Sequence, residues 1–162
     1  MKQKIYFISG NYTFEPAGTP NLKDLMFEVA KMVENPRLLE DGADVKTIYD
    51  NMVLRHEKGV HFPGIGSGSD FAPFLQQVGA SVVDLHWKPA PDVGGYPVYH
   101  SVYETFELVE KYVDPGFIIH RQTAIMAALG KKNTKNYLSN LKLRYFSIKN
   151  PFFDQFDFLN SH

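Results

Sequence analysis

"GASVVDLHW", Gly79 to Trp87, is the stretch whose reading decides the fold. A glycine suited to ending a helix is followed by Val82, Val83, Leu85 and Trp87. Branched and aromatic residues fit a pleated chain. A mostly apolar run is what a strand covered on both faces requires, so residues 80–87 are predicted to be a strand. Upstream, Ser69-Asp70 opens a predicted helix with Phe71, Phe74, Leu75 and Val78 inward and Gly79 as its stop. Downstream, residues 88–97 form a Pro- and Gly-rich loop. Helical spacing then predicts helices over 102–112 and 115–129, the second ended by Gly130.

Toward the N-terminus, Ile5 to Ile8 reads as a short strand. Thr19-Pro20 supplies an N-cap and a proline at the first helical position. Leu22, Leu25, Met26, Val29, Met32 and Val33 follow at helical spacing, predicting a helix over 20–34 that Asn35-Pro36 stops. A weaker helix over 45–55 carries Ile48 and Met52, and residues 57–68 are loop. Strands alternating with helices predict an α/β domain: three layers, a mixed and partly parallel sheet, helices on its flanks. Residues 131–162 are rich in Lys, Asn and Phe without a clean period, and read as a tail distinct from 1–130.

The composition narrows the function classes. At 162 residues, 44% hydrophobic and 22% charged, the chain has the length and make-up of one ordinary globular domain. Seventeen basic residues face eighteen acidic ones, and the longest basic cluster is Lys131, Lys132 and Lys135. That balance predicts no nucleic-acid partner. The absence of cysteine excludes a disulfide scaffold, a Cys zinc site and a thiol nucleophile. The apolar part of the first ten residues is too short for a signal peptide, and no run is long enough to span a bilayer.

Several residues have the chemistry of a site. "GIGSGSD", Gly64 to Asp70, allows close backbone approach and leaves helix N-terminal amides free for an anion. It lacks both the strand that precedes a dinucleotide fingerprint and the Gly-Lys-Ser/Thr of a P-loop. On these residues alone a turn with an N-cap is the plainer reading. His56 and His61 have no third metal ligand nearby in sequence. Asp84 and His86, two apart on a strand, share a face and form either a structural or a functional pair. No serine has the Gly-x-Ser-x-Gly context of a hydrolase nucleophile. His100 stands at a loop-to-helix junction, where it serves as a structural histidine or as a metal ligand.

"GNYT" (Gly10 to Thr13), "TP" before a helix, "GSGSDF" (Gly66 to Phe71) and "GYPVYHSVYETFELVEKYVDPGF" (Gly95 to Phe117) carry a resemblance. The chain resembles the zinc metallopeptidase domain of glutamate carboxypeptidase II and the N-acetylated-alpha-linked acidic dipeptidase group, from about Gly10 to about Leu129. Tyr96-Pro97-x-Tyr99-His100-Ser101-x-Tyr103-Glu104-Thr105 is its most specific part. The resemblance implies an aminopeptidase-like α/β fold holding two zinc ions, a peptide substrate, and a metal-bound hydroxide with a glutamate base. It places a zinc-ligand histidine on His100 and the oxyanion-binding tyrosine on Tyr99. Ser67, Gly68 and Ser69 match the loop lining the substrate cleft, and Asn11 of Asn11-Tyr12-Thr13 matches a glycosylation position. For a parent protein the resemblance implies a type II membrane anchor preceding this stretch, an extracellular catalytic domain, and a homodimer formed through a C-terminal helical domain.

Departures from the pattern set further expectations. The other zinc ligands and the base precede the matched stretch, and the position of the last of them is Ile5, which binds no zinc. The family's carboxypeptidases present an arginine pair where this chain has Asp84 and His86. Those residues are expected to line the substrate pocket and to favour a free α-amino group over a free carboxylate. The expectation is therefore a truncated, C-terminal part of a zinc peptidase domain, inactive by itself and not stably binding zinc. The alternative is a non-catalytic binding module of the transferrin-receptor-like branch.

Overall fold

The computed structural model describes residues 10–56, 59–92 and 98–144, with side chains described as far as residue 134. The predicted strand at Ile5–Ile8 lies outside the described residues. Two strands, β1 (Thr13–Gly18) and β2 (Val83–Lys88), pair antiparallel. The register sets Phe14 opposite Trp87, Glu15 opposite His86 and Ala17 opposite Asp84. The helices are α1 (Lys23–Ala30), α2 (Leu38–Asp41), α3 (Ile48–Arg55), α4 (Ala72–Gln76), α5 (Phe106–Leu108) and α6 (Ile118–Arg144). The architecture is thus mixed α and β, as expected. Among the described residues the sheet is antiparallel rather than partly parallel, and β2 alternates buried Leu85 and Trp87 with half-buried Asp84 and His86. Only one face of the strand is apolar.

β1 escaped the sequence reading because "TFEPAG" contains a proline and a glycine, which punctuate strands. The ladder explains how both fit. The amides of Phe14 and Gly18 point away from β2, to Asn51 Oδ1 at 3.4 Å and to Pro63 O at 3.0 Å. Pro16 sits between them, where the pairing with β2 needs no N–H. Just before the strand, Gly10 crosses the Lys88–Pro89 backbone so closely that a Cβ there would run into the Pro89 nitrogen. The glycine of "GNYT" is required by that crossing.

The core lies on the apolar face of the pair. Phe14 and Trp87 meet with ring centroids 5.6 Å apart, packed with Leu25, Met26 and Val29 of α1, Ile48 and Met52 of α3, and Ile119 and Met126 of α6. Trp87 Nε1–H donates to Thr123 Oγ1 at 3.0 Å, so the buried indole keeps its hydrogen bond. Asp114 sets the start of α6: its carboxylate accepts from the Ile119 and His120 amides and lies 2.6 Å from His120 Nδ1.

Several helix boundaries differ from expectation. Residues 20–34 divide into a 3₁₀ turn at Pro20–Leu22 and α1. Thr19 caps neither; its hydroxyl bonds Val82 across the sheet end. α3 begins at Ile48, where Thr47 and Asp50 form a reciprocal capping box. α4 is short and leaves Phe74 and Val78 exposed rather than inward. The helix expected from residue 102 begins at Phe106, because Thr105 Oγ1 accepts from Leu108 N–H and fixes the start there. Gly130 does not end α6, which runs on to Arg144; the glycine lies against Met26 of α1. Among the described residues no helix is long and apolar enough to cross a membrane.

Candidate functional site

Alternation along β1 and β2 gives the pair a polar face opposite its core face. Asp84, His86 and Lys88 lie on it, with Thr13, Glu15 and Ala17 as their partners in register. His86 stands between two carboxylates, with Nε2 3.7 Å from Glu15 Oε1 and Nδ1 3.8 Å from Asp84 Oδ2. Lys88 Nζ is 2.6 Å from Glu15 Oε1. The lysine therefore answers the buried Glu15, and Asp84 presents the more accessible negative charge. Asp84 and His86 share a face as their spacing predicted. Glu15 was missed because its strand was not recognised; the signal was its opposite phase to Phe14, which faces the core.

Ser67, Gly68 and Ser69 form an exposed loop ahead of α4, with Gly68 at φ +96°. Gln76 Nε2–H donates to Gly66 O at 2.9 Å and ties this loop to α4. The Gly18–Pro63 bond ties the start of the same segment to β1.

Tyr99 and His100 lie on a tight turn. Their rings stack with centroids 3.8 Å apart and planes 20° from parallel. His100 has φ +57°, a left-handed value rare for a residue with a side chain. The turn is closed by Ser101 N–H to Val98 O and by His100 N–H to Glu104 Oε2, each at 3.0 Å. Tyr96 and Pro97 of the same motif lie outside the described residues.

One imidazole without further donors does not fit a two-zinc site. Among the described residues no group of three or more His, Asp or Glu side chains is arranged to hold a metal ion, and His56 and His61 gather none. Asn11, matched to a glycan acceptor, is half-buried; its Nδ2–H donates to Val113 O at 3.1 Å, and the neighbouring Thr13 is buried.

A second polar cluster, not foreseen from sequence, centres on Asp41. Its carboxylate accepts from Asn51 Nδ2 at 2.7 Å, from Asn35 Nδ2 at 3.0 Å and from Arg55. Arg55 also donates to the Tyr12 hydroxyl and lies over its ring. Burial pushes the Asp41 carboxyl up, but the donors from Asn51, Asn35 and Arg55 outweigh it and hold the group below its ordinary value. This cluster locks α2 and α3 to β1, with the Asp41 side chain fully buried inside it.

No family model matches the chain. Among characterised proteins it is similar to the aminopeptidase NAALADL1 of Rattus norvegicus, 30% identical over 127 residues, covering 72% of this chain and 16% of that protein. A probable glutamate carboxypeptidase, LAMP1 of Arabidopsis thaliana, is 37% identical over 117 residues, covering 72% of this chain and 15% of that protein. The glutamate carboxypeptidase 2 homolog of Caenorhabditis briggsae is 38% identical over 102 residues, covering 60% of this chain and 13% of its own length. The chain thus spans about a sixth or less of the relatives it matches. At 30–38% identity over 60–72% of its length, the chain belongs to the family of glutamate carboxypeptidase 2 and NAALADL1 aminopeptidase.

Proposed function

We propose that this chain is part of a zinc-dependent exopeptidase that hydrolyses peptide bonds of small peptides, and that the 162-residue chain alone is inactive. The observation that carries the reading is the His100 turn. A histidine in left-handed backbone, stacked on an exposed tyrosine, is a local strain of the kind proteins retain at functional sites. In this reading the Tyr99 hydroxyl donates a hydrogen bond to the oxygen of the scissile carbonyl as negative charge develops there. His100 is one ligand of the zinc site, and the other ligands and the general base come from a longer protein that contains this stretch. Ser67, Gly68, Ser69, Asp84 and His86 line the substrate pocket. Asp84, left accessible while Lys88 answers Glu15, attracts the α-amino group of the substrate and repels a free carboxylate. That favours aminopeptidase-type selectivity over release of glutamate. The N-glycan at Asn11, the membrane anchor, the extracellular site and the homodimer belong to the same proposal for the longer protein.

The test begins with the native product, detected by an antibody raised against residues 95–112. A product several times heavier than 18.5 kDa is expected. In it, Tyr99→Phe should lower kcat about 100- to 1,000-fold with zinc content unchanged, and His100→Ala should lower both activity and zinc content. Asp84→Arg should move preference from free N-termini toward free C-termini; an unchanged preference sinks the selectivity argument. A native product of only 18.5 kDa that binds peptide without cleaving it puts the non-catalytic binding reading ahead. Tight one-to-one zinc binding by the 162-residue chain would contradict the ligand count.

A further inference from the structure

Adjacent side chains normally point away from one another, because the backbone turns each residue to a different side. Tyr99 and His100 are adjacent, yet their rings lie 3.8 Å apart and nearly parallel. The left-handed backbone of His100, φ +57°, accompanies that stacking. Such a conformation costs a residue with a Cβ about 1 kcal/mol or more, so something local must hold it. Ser101 N–H to Val98 O and Tyr103 N–H to Ser101 Oγ close the turn around His100. His100's own amide goes to a side chain, Glu104 Oε2, at 3.0 Å. A backbone amide bound to a carboxylate makes a stronger bond than one bound to a neutral carbonyl. The second oxygen, Glu104 Oε1, is shut off from solvent and has no hydrogen-bond partner among the described residues. The His100 amide is therefore the hydrogen bond that fixes this carboxylate among those residues.

We propose that Glu104 is the positioning residue of the Tyr99–His100 pair: by holding the His100 amide it keeps His100 left-handed and sets the directions of both rings. The inference rests on the reading of Tyr99 and His100 as site residues, but its test reads conformation and so stands apart from activity. Glu104 acts through the turn and touches no substrate in this scheme. A glutamine in its place keeps an acceptor of the same reach; an aspartate keeps the charge but falls short by one methylene; an alanine removes the acceptor.

The experiment is solution NMR on the full 162-residue chain and its Glu104→Gln, Glu104→Asp and Glu104→Ala variants. The readouts are exchange protection of the His100 amide and nuclear Overhauser contacts between the Tyr99 and His100 rings. The Trp87 indole N–H, bonded to Thr123, marks the intact core. In the wild type and in Glu104→Gln the amide should be protected and the rings in contact. In Glu104→Ala and Glu104→Asp protection should fall about tenfold or more and the ring contacts vanish, with the indole signal unchanged. Should Glu104→Ala lose the indole signal, the contrast between Gln and Asp decides. Retention of the ring contacts in Glu104→Asp, or in a folded Glu104→Ala, overturns the proposal. Loss of the turn together with full peptidase activity in the longer protein would support the positioning role and retire Tyr99 and His100 as site residues.

Discussion

The strand pair with its helices and the turn over Val98–Thr105 are built on opposite terms. In the first region the contacts are distant in sequence. Phe14 meets Trp87, Trp87 bonds Thr123, and Met26 lies against Gly130. Among the described residues the backbone hydrogen bonds that close the turn span no more than four residues, and its apolar side chains are largely exposed, with Val102 87% and Tyr99 54% accessible. The difference teaches where change is tolerated. The core sets stability, while the turn sets the direction of the candidate site side chains and contributes little to holding the fold. Substitutions at the turn can therefore alter chemistry without unfolding the chain.

The sharpest way to break this comparison is a pair of truncations. Trp87→Ala deletes the largest buried side chain and removes the indole donor to the Thr123 hydroxyl, so it should cost about 3–5 kcal/mol in urea unfolding. Val102→Ala on the turn should change stability by less than about 0.5 kcal/mol. Comparable losses from the two would mean that the turn carries the fold as well.

The Asp41 cluster sharpens the comparison from the stable side. Its carboxyl is held below the ordinary value of 3.8 by Asn51, Asn35 and Arg55, which outweigh the opposing effect of burial. A carboxylate whose folded-state value is depressed contributes stability that is fully present above its unfolded value and is lost as pH falls through the folded value. Asp41→Asn should therefore cost about 2 kcal/mol at neutral pH, the scale of a charge-assisted hydrogen bond. The gap between wild type and variant should close as pH is lowered below 3.8. Urea midpoints measured across that range check it; a gap independent of pH would show that the Asp41 charge does not hold α2 and α3 in place.

The legible parts of the chain were those whose signal is local. Helical spacing from Leu25 to Val29 located α1, the apolar run ending at Trp87 located β2, and the two-residue interval of Asp84 and His86 placed them on one face. β1 was not legible: its proline is tolerated only because the neighbouring amides turn outward, which is a property of the pairing and not of "TFEPAG". Gly130 misled because a glycine does not by itself end a helix: α6 runs through it to Arg144, with Met26 of α1 beside it. In the candidate site, Tyr99 and His100 stood out through the motif. Glu15 and the Glu104 bond did not, since each depends on how distant or reversed backbone brings side chains together.

The smallest predicted effect tests the turn by its strain alone. His100 adopts φ +57°, which penalises any residue carrying a Cβ and penalises branched residues most. His100→Gly removes that penalty but gives the unfolded chain more freedom, and the two effects nearly offset. Its stability should stay within about 0.5 kcal/mol of the wild type. His100→Val keeps the Cβ and adds a branch, so it should cost about 1 kcal/mol. Urea unfolding of both variants reads the difference directly. If valine is tolerated as well as glycine, the left-handed turn is not maintained in solution, and the contrast between a rigid core and a locally locked site gives way to one between a rigid core and a loose loop.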